Sequence, residues 1–346
     1  MFSRFFAKKI CLGVDIGTSS VKMAALQADK NNQPQILDYA ILETYGYLER
    51  ANAALQTSTL KIFEEEIVGY LRLMIRKMKL PAGSLETVAS LPTFSAFTTL
   101  IEVPPEMPEA ELVKTMNFKA KQYLPLPFSS VVLDWTRVGA GEVFLIAVPN
   151  EQVERFEYIF KESRLKLVAL EIEGLALARS LTTEKQEPTL IIDIGSSSTV
   201  ILLVQKGRLY MANQLDFAGG SLTQALSSSL EISSRRAEDL KKQKGLIGLE
   251  GGPERELSTI LLPILDVIIN EARRVKANRD FSRVIICGGG AKLLGLSRYL
   301  DNELGLPVEL ANPFARIGSA PALEPLLRDL GPNLAVAAGL ALRNFF

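Results

Sequence analysis

The sequence feature that most constrains the fold is a short motif that occurs twice in the chain at a long spacing. The first copy, LGVDIGTSSVKM, covers residues 12–23, and a partial copy, LIIDIGSSSTVI, covers residues 190–201. The two copies are in register, so that Asp15 corresponds to Asp193, 178 positions later. This spacing indicates a duplicated domain rather than a solenoid, whose repeats are roughly 20–50 residues long.

Each copy of the motif predicts a strand, a tight turn and a second strand. An apolar run ends in Asp, Ile and Gly, three small hydroxyl residues follow, and apolar residues then resume. The Gly permits positive φ and the close approach of an anion, and turn N–H groups and hydroxyls suit phosphate oxygens. An Asp beside phosphate is favourable if hydrated Mg²⁺ lies between them. A plain β-hairpin is the alternative for either copy alone, but two copies in register favour a phosphate site.

The composition excludes several kinds of function. A chain of 346 residues suggests about two domains, and its 39 basic and 39 acidic residues give no net charge that would direct the whole protein to nucleic acid. There is no His, which excludes catalytic triads and metal sites built on imidazole. Cys11 and Cys287 each adjoin an apolar strand and are interpreted as buried free thiols, with a disulfide as the alternative.

The apolar segments predict a cytoplasmic protein. None of them reaches the roughly 18 residues that a membrane helix requires, and the start MFSRFFAKK lacks the apolar core of a signal peptide.

A change in composition after residue 83 indicates an inserted α+β unit over residues 84–165, with the element order β-β-α-β-β-α. Its first helix is predicted over residues 109–124 and its second over residues 151–164. We expect the first of these helices to bury one face, formed by Val113, Met116, Ala120 and Tyr123.

Glycine-rich turns punctuate the second half of the chain. Gly219 and Gly220 precede two predicted helices, and a longer helix is predicted over residues 254–278. The strand RVIIC then leads into the triplet at residues 288–290, where backbone can approach a ligand closely, although triple Gly is also common in packing. A helix is predicted after it, from about Leu293 to Leu304. A final Ala-rich helix is predicted over residues 333–346.

Five motifs in order, DIGTSSVK, DIGSSST, GGGAKLLGLSRYL, LPVELANPF and AVAAGLAL, give the chain a resemblance to the actin-like ATPase superfamily. Within it, the chain resembles the PilM family of type IV pilus assembly proteins, which is related to the division protein FtsA. The resemblance implies an α/β fold of two duplicated domains around a nucleotide cleft, with an inserted 1C-type α+β subdomain. The implied divisions are domain 1A at 1–83 and 166–187, subdomain 1C at 84–165, domain 2A at 188–218 and 253–346, and subdomain 2B at 219–252.

The resemblance also implies a site for ATP and Mg²⁺. Two aspartates, Asp15 and Asp193, would hold the metal through water. The residues implied to bind the nucleotide are Asp15, Gly17, Thr18, Ser19, Ser20, Lys22, Asp193, Gly195, Ser196, Ser197, Ser198, Gly219, Gly220, Glu238, Lys241, Gly288, Gly289 and Gly290. An ordinary solvated strand Lys is the alternative for Lys22, and a solvated helix face is the alternative for Glu238 and Lys241.

The sequence departs from actin before the second motif. Where actin has a Gln that orients the attacking water, the nearest equivalent here is Glu173, which is the candidate catalytic residue. A carboxylate near the γ-phosphate meets charge repulsion. Since phosphoryl transfer needs accurate water placement, we expect nucleotide binding with slow hydrolysis.

Four functions are compatible with these motifs. The first is an ATP-dependent scaffold of the pilus assembly platform, for which the resemblance implies a partner: the cytoplasmic tail of a PilN-type inner-membrane protein, docked between domain 1A and subdomain 1C. The others are an FtsA-like filament former, a sugar kinase, for which we find no acceptor-site motif, and the cytoplasmic module of a type II secretion platform, which normally continues into a membrane anchor. The first would place the protein at the inner membrane through its partner.

Overall fold

Two five-stranded sheets of identical topology form the framework of the protein. The computed structural model describes residues 9–44, 60–81, 85–247 and 255–345. The first sheet has the order β3-β2-β1-β4-β8 and the second has the order β11-β10-β9-β12-β13. In each sheet three antiparallel strands are followed by two strands parallel to the central one. The domain duplication predicted from the repeated motif is therefore present in the fold.

The strands have the following bounds: β1 Ile10–Ile16, β2 Ser20–Ala28, β3 Pro34–Glu43, β4 Leu85–Leu91, β5 Phe97–Glu102, β6 Val131–Gly139, β7 Glu142–Pro149, β8 Leu167–Ile172, β9 Thr189–Ile194, β10 Thr199–Gln205, β11 Arg208–Leu215, β12 Arg283–Cys287 and β13 Val308–Leu310. The helices of the described residues are α1 Leu60–Lys77, α2 Glu109–Tyr123, α3 Asn150–Glu162, α4 Glu173–Leu181, α5 Gly219–Ser229, α6 Ser234–Lys244, α7 Arg255–Asn278, α8 Leu296–Leu304 and α9 Glu324–Ala341.

The central strands are buried on both faces, as their continuous apolar sequences predict. Every residue of β1 is buried. Gly13 in this strand lies directly under α9, since a Cβ there would be 1.9 Å from the Ala337 carbonyl oxygen. The last helix of the second half therefore packs on the first sheet and ties the two halves together.

The inserted unit is smaller than predicted. It consists of the sheet β5-β7-β6 with α2 against it, and its own core includes Ile101, Val143 and Leu145. Strand β4, which was expected inside the insertion from a boundary at residue 84, instead pairs with β1 and β8 in the first sheet. Strand β4 lies between those two strands and is parallel to both. Such long-range pairing is not specified by the local sequence pattern.

Helix α2 buries only part of the predicted face, because Met116 and Ala120 are buried as predicted but Val113 and Tyr123 are not. Leu112, Met116 and Ala120 are buried at successive four-residue spacings, whereas Val113 and Tyr123 are 41% and 45% exposed. The insertion therefore presents apolar side chains outward that the sequence pattern assigned to its core.

Two boundaries in the second half also differ from the prediction. The last helix, α9, begins at Glu324, nine residues before the predicted start, and contains Pro332. The residues after the Gly triplet form a 3₁₀ turn, and α8 starts only at Leu296, after Gly295 in the left-handed region (φ 82°). The cysteines are free and buried, as predicted. Among the described residues no helix combines the length and apolarity needed to cross a membrane.

Candidate functional site

The two motif turns face each other across a cleft between the sheets. Each is closed by the same backbone hydrogen bond, from Gly17 N to Ser20 O and from Gly195 N to Ser198 O, both 3.0 Å long. Across the cleft, the Ser197 hydroxyl donates to the Thr18 hydroxyl at 3.0 Å. The duplicated hairpins thus bring together the two turns that the sequence predicted to form one site.

A cavity of about 360 Å³ opens between the turns. It is lined by both turns, by Asp15, Lys22, Glu173, Asp193 and Gly288, and by residues of the insertion side that the sequence analysis did not identify. The latter include Thr93, Phe94, Ser95, Gln152 and Arg155, and Gln214 of β11 in the second sheet lines the cavity as well. Its size is within the range of about 300–1,000 Å³ typical of small-molecule sites.

In the first half of the site, both carboxylate oxygens of Asp15 accept hydrogen bonds. Lys22 Nζ donates to Oδ2 at 3.1 Å and the Ser90 hydroxyl donates to Oδ1 at 2.9 Å. Burial lowers the pKa of Lys22, but its attraction to Asp15, Asp193 and Glu173 outweighs this and leaves the pKa raised overall. Lys22 is therefore a cation held by the site's carboxylates, and the solvated-strand alternative does not apply.

In the second half of the site, Asp193 lies at the end of β9 beside Cys287 of β12. Burial raises the pKa of Asp193 to about 6; Lys22 opposes the shift, Asp15 adds to it, and the Cys287 thiol opposes it through a hydrogen bond. This carboxylate is thus poorly compensated by the protein alone, and its charged form is favoured by an added cation.

Glu173 begins α4 at the floor of the cleft. The Thr93 hydroxyl donates to its Oε2 at 3.2 Å. Burial, with Asp15 and Asp193 nearby, raises the pKa of Glu173 to about 8. At neutral pH the group is therefore mostly a neutral carboxyl, so the charge repulsion expected from sequence is largely relieved.

Hydrogen bonds from the first residues of α5 hold the second turn in place. Gly219 N donates to Gly195 O at 3.0 Å and Gly220 N donates to Ser196 O at 2.7 Å. Lys241, which is almost fully buried, donates to Gly219 O at 2.8 Å. These amides are engaged within the protein, so Gly219 and Gly220 act on the turn rather than facing the cavity.

Only some of the residues predicted around the adenosine line the cavity. Gly288 lines it, whereas Glu238 and Lys241 form an ion pair of 2.6 Å on α6, next to the first turn of α5. A Cβ at Gly290 would clash with Ile194, and one at Gly289 would meet nothing within 4 Å. The structure thus brings the phosphate-binding candidates together and leaves Gly289 as the open backbone position of the triplet.

The cavity continues to helix α3 and to the segment that leads from β4 into the insertion. Arg155 of α3 pairs with Glu64 at 3.2 Å on this side. Gln214, at the end of β11, has a buried side-chain oxygen without a hydrogen-bond partner in the protein. Both residues lie in segments without a recognisable motif, so only the fold could place them here.

The donor set fits a hydrated Mg²⁺ bound together with phosphate. Two carboxylates at corresponding strand ends offer hard oxygen ligands, and because burial raises the pKa of Asp193, a cation beside it would favour its charged form. Among the described residues no group of three or more carboxylate or thiol side chains is arranged to hold a metal by itself. The residues therefore suit an ion that brings its own water and phosphate ligands.

Comparisons with solved structures reveal the same architecture in other proteins. A chain of the PilM–PilN type IV pilus biogenesis complex superposes with a TM-score of 0.80 at 23% identity, covering 97% of this chain and 98% of that one. The ethanolamine utilization protein EutJ of Carboxydothermus hydrogenoformans gives 0.58 at 17% identity, covering 96% and 89%. MreB5 of Spiroplasma citri bound to AMPPNP gives 0.54 at 15% identity, covering 97% and 96%.

Curated relatives identify the same superfamily. The cell division protein FtsA of Borreliella burgdorferi is 20% identical over 383 aligned residues, which cover 97% of this chain and 91% of that protein. The FtsA of Bacillus subtilis is 24% identical over 153 residues, which are 38% of this chain and only about a third of that protein's length (35%). The family model for type IV pilus assembly protein PilM matches residues 13–345. The fold is that of the actin-like ATPases, and the chain belongs to the PilM family of type IV pilus assembly proteins.

Proposed function

We propose that this protein is the ATP-binding component of the type IV pilus inner-membrane assembly platform and that nucleotide in its cleft controls binding of the cytoplasmic tail of a PilN-type membrane protein. The observation that carries the proposal is the meeting of the two motif turns around one cavity that also holds Asp15, Asp193 and Lys22. Membership of the PilM family supplies the pilus context. The protein would reach the inner membrane through this partner.

Each half of the site has a role in holding a nucleotide. The turn hydroxyls and N–H groups would bind phosphate oxygens, and Lys22 would neutralise part of their charge. Mg²⁺ would supply further positive charge between the phosphates and the aspartates. Gly288, with φ 79° and a Cβ position only 2.4 Å from Asp193 Oδ1, gives the close backbone approach that a side chain would prevent.

Calorimetry tests this binding directly. Titration with Mg-ATP should give saturable binding to the wild type and weaker binding to Asp15→Ala and to Asp193→Ala. Ser180→Ala is the control. The buried hydroxyl of Ser180 donates a hydrogen bond to the Ala335 carbonyl, and Ser180 does not line the cavity. Equal affinity in the wild type and both aspartate variants would remove the site.

We further propose that hydrolysis is slow. Glu173 would be the group that orients water, and one of its oxygens already accepts a hydrogen bond from Thr93. A neutral carboxyl so engaged is a weak general base, although it no longer repels the γ-phosphate. Turnover near the typical enzyme value of about 10 s⁻¹ would contradict this.

The insertion provides the surface proposed for the partner. Several of its apolar side chains are exposed, and β6 is an edge strand of its sheet. Those more than a third exposed are Phe94, Val113, Phe118, Tyr123, Leu126 and Val132. Extended peptides bind such surfaces through main-chain hydrogen bonds and apolar pockets.

The route from nucleotide to partner is the segment between β4 and β5. Thr93 in this segment bonds Glu173 in the cleft, and Phe94, the next residue, is 60% exposed. A nucleotide that displaces or strengthens the Thr93 bond would therefore act on the segment that carries the insertion. This contact supports dependence of partner binding on nucleotide.

Hydrogen exchange with a synthetic N-terminal tail of a PilN-type protein tests the partner proposal. The tail should protect amides within residues 92–149, and its affinity should differ between nucleotide-free and Mg-ATP-bound protein. Thr93→Val should reduce that difference, whereas Thr99→Val, on β5 and outside the cavity lining, should preserve it. Protection confined to residues after 188 would place the partner elsewhere.

A further inference from the structure

We propose that Ser90 and Cys287 are equivalent positioning residues, each of which fixes the carboxylate of a strand-end aspartate for magnesium-dependent nucleotide binding. Ser90 acts on Asp15 in the first half and Cys287 acts on Asp193 in the second. The inference rests on the proposed nucleotide site and assigns a role to two residues that no sequence motif distinguishes.

In the first half, Ser90 and Lys22 together define one orientation of Asp15. Ser90 lies on β4, parallel to and paired with β1, and is fully buried. Its hydroxyl donates to Oδ1 at 2.9 Å while Lys22 holds Oδ2. With each oxygen held by a different donor, rotation of the carboxylate would break at least one bond.

In the second half, Cys287 occupies the corresponding place. It ends β12, is opposite Asp193 in the parallel ladder and is fully buried. The register of the ladder sets its side chain beside the Asp193 carboxylate, and burial, the charge of Asp193 and a hydrogen bond to that carboxylate together raise the pKa of the thiol. The following residue, Gly288, leaves that carboxylate just enough room, since a Cβ there would be 2.4 Å from Oδ1.

The equivalence of the two residues follows from topology. The pairs β1–β4 and β9–β12 take the same places in sheets of the same order, and in each pair the donor comes from the neighbouring parallel strand. The motif repeat ends before both donors, because residues 85–91 and 283–287 lie far outside it. The same contact has thus been made with two different side chains, a hydroxyl and the weaker thiol donor.

The physical need for such donors comes from the metal. A water-mediated Mg²⁺ site depends on both carboxylates pointing at the same point, and groups that orient metal-binding side chains commonly contribute about 10–100-fold to metal affinity. A buried Ser or Cys that served packing alone would not need a carboxylate as its partner. We therefore expect both residues to affect magnesium-dependent binding selectively.

The test compares ATP affinity with Mg²⁺ and with EDTA in matched variants of the full chain. Ser90→Ala should reduce the gain in affinity from Mg²⁺ by about 10-fold. Cys287→Ala should reduce it less, since a thiol is the weaker donor, and Cys287→Ser should restore it. Affinity in EDTA should change little in all three variants.

Two controls remove buried polar groups that do not touch the site. Ser180→Ala deletes a buried hydroxyl bonded to the Ala335 carbonyl, and Cys11→Ala deletes a buried thiol that accepts a bond from Asn344. Both should keep the wild-type gain from Mg²⁺.

Each outcome decides between the inference and a packing role. A full magnesium gain in both Ser90→Ala and Cys287→Ala overturns the inference, as does an equal loss of affinity with Mg²⁺ and with EDTA, which would indicate packing. Failure of the wild type to bind ATP in either buffer overturns the proposed function instead. Binding by the wild type with no gain from Mg²⁺ overturns the magnesium role and this inference, and leaves ATP binding in place.

Discussion

The two halves of the molecule share topology and turn geometry but differ in how they compensate their aspartates. In the first hairpin, Lys22 lies opposite Asp15 and bonds it at 3.1 Å. The corresponding position of the second hairpin, opposite Asp193, is Val200, which is buried in the core. One aspartate therefore has a cation from its own hairpin, and the other has only the Cys287 thiol and the more distant Lys22.

The two duplicated halves therefore differ in how far each neutralises its own aspartate. The first half can hold its charge without a ligand, since the Asp15–Lys22 pair is formed in the free protein. The second half is under-compensated and gains most from an added cation. Binding of magnesium and nucleotide should therefore stabilise mainly the charged form of Asp193, in the second half.

The largest effect should come from removing the cation of the first half. Lys22→Met removes the cation that attracts the three acidic side chains Asp15, Asp193 and Glu173. The free energy of unfolding should therefore fall by about 3–5 kcal/mol. Lys166→Met is a control, because its pair with Glu86 is exposed and should contribute less than about 1 kcal/mol. Chemical denaturation measures both. A loss in Lys22→Met no larger than in the control would show that the halves do not differ in this way.

In a second experiment, substituting the aspartate of each half should change the free energy of unfolding in opposite directions. Asp15→Asn weakens the charged hydrogen bond from Lys22 and should lower the free energy of unfolding of the free protein by about 2 kcal/mol. Asp193→Asn removes a carboxylate whose pKa is raised by burial, so the free protein should gain about 1 kcal/mol near neutral pH. Both variants should nevertheless bind Mg-ATP more weakly. Destabilisation of equal size by the two substitutions would contradict the comparison.

The pH dependence of stability sharpens the same point. Glu173 and Asp193 have pKa values raised to about 8 and about 6, so the folded protein binds these protons more tightly than the unfolded chain does. Stability of the nucleotide-free protein should therefore rise as pH falls, by about 2 kcal/mol between about pH 8.5 and pH 6.

Two variants show how much each acid contributes to the slope of the free energy of unfolding against pH. Because the pKa of Glu173 is raised from 4.5 to about 8 and that of Asp193 from 3.8 to about 6, Glu173→Gln should flatten the curve over the whole range below about pH 8, whereas Asp193→Asn should flatten it only below about pH 6. Denaturant titrations across this range provide the measurement. A stability that increases with pH in the wild type would show that these carboxyls are not under-compensated.

The smallest effect concerns the contact between the halves. Ser197→Ala removes the exposed hydrogen bond to Thr18, and the free energy of unfolding should change by no more than about 0.5 kcal/mol. Because phosphate must enter between the turns, the affinity for Mg-ATP should be unchanged or slightly higher. A clear loss of stability would mean that this contact holds the halves together.

Much of the fold could be predicted because its signals are local. The strand–turn–strand pattern around Asp15 and its copy at Asp193 predicted two hairpins, and apolar periodicity predicted a long helix over residues 254–278, which the structure has at Arg255–Asn278. Predictions were wrong where a pattern allowed two faces or two partners. Helix α2 has apolar residues on both sides, so periodicity did not show that Leu112 rather than Val113 is buried.

The sequence alone predicted that the chain is duplicated and that each copy forms a hairpin with an Asp before its turn, because hairpins depend on neighbouring residues. The packing of the whole fold was needed to show that β4 belongs to the first sheet and that Ser90 and Cys287 lie beside the two aspartates. It also placed Thr93 on Glu173, 80 positions away, and neutralised that carboxyl by burial. Such contacts join residues whose proximity depends on the packing of whole sheets, and burial itself depends on everything that surrounds a group, so no local pattern encodes them.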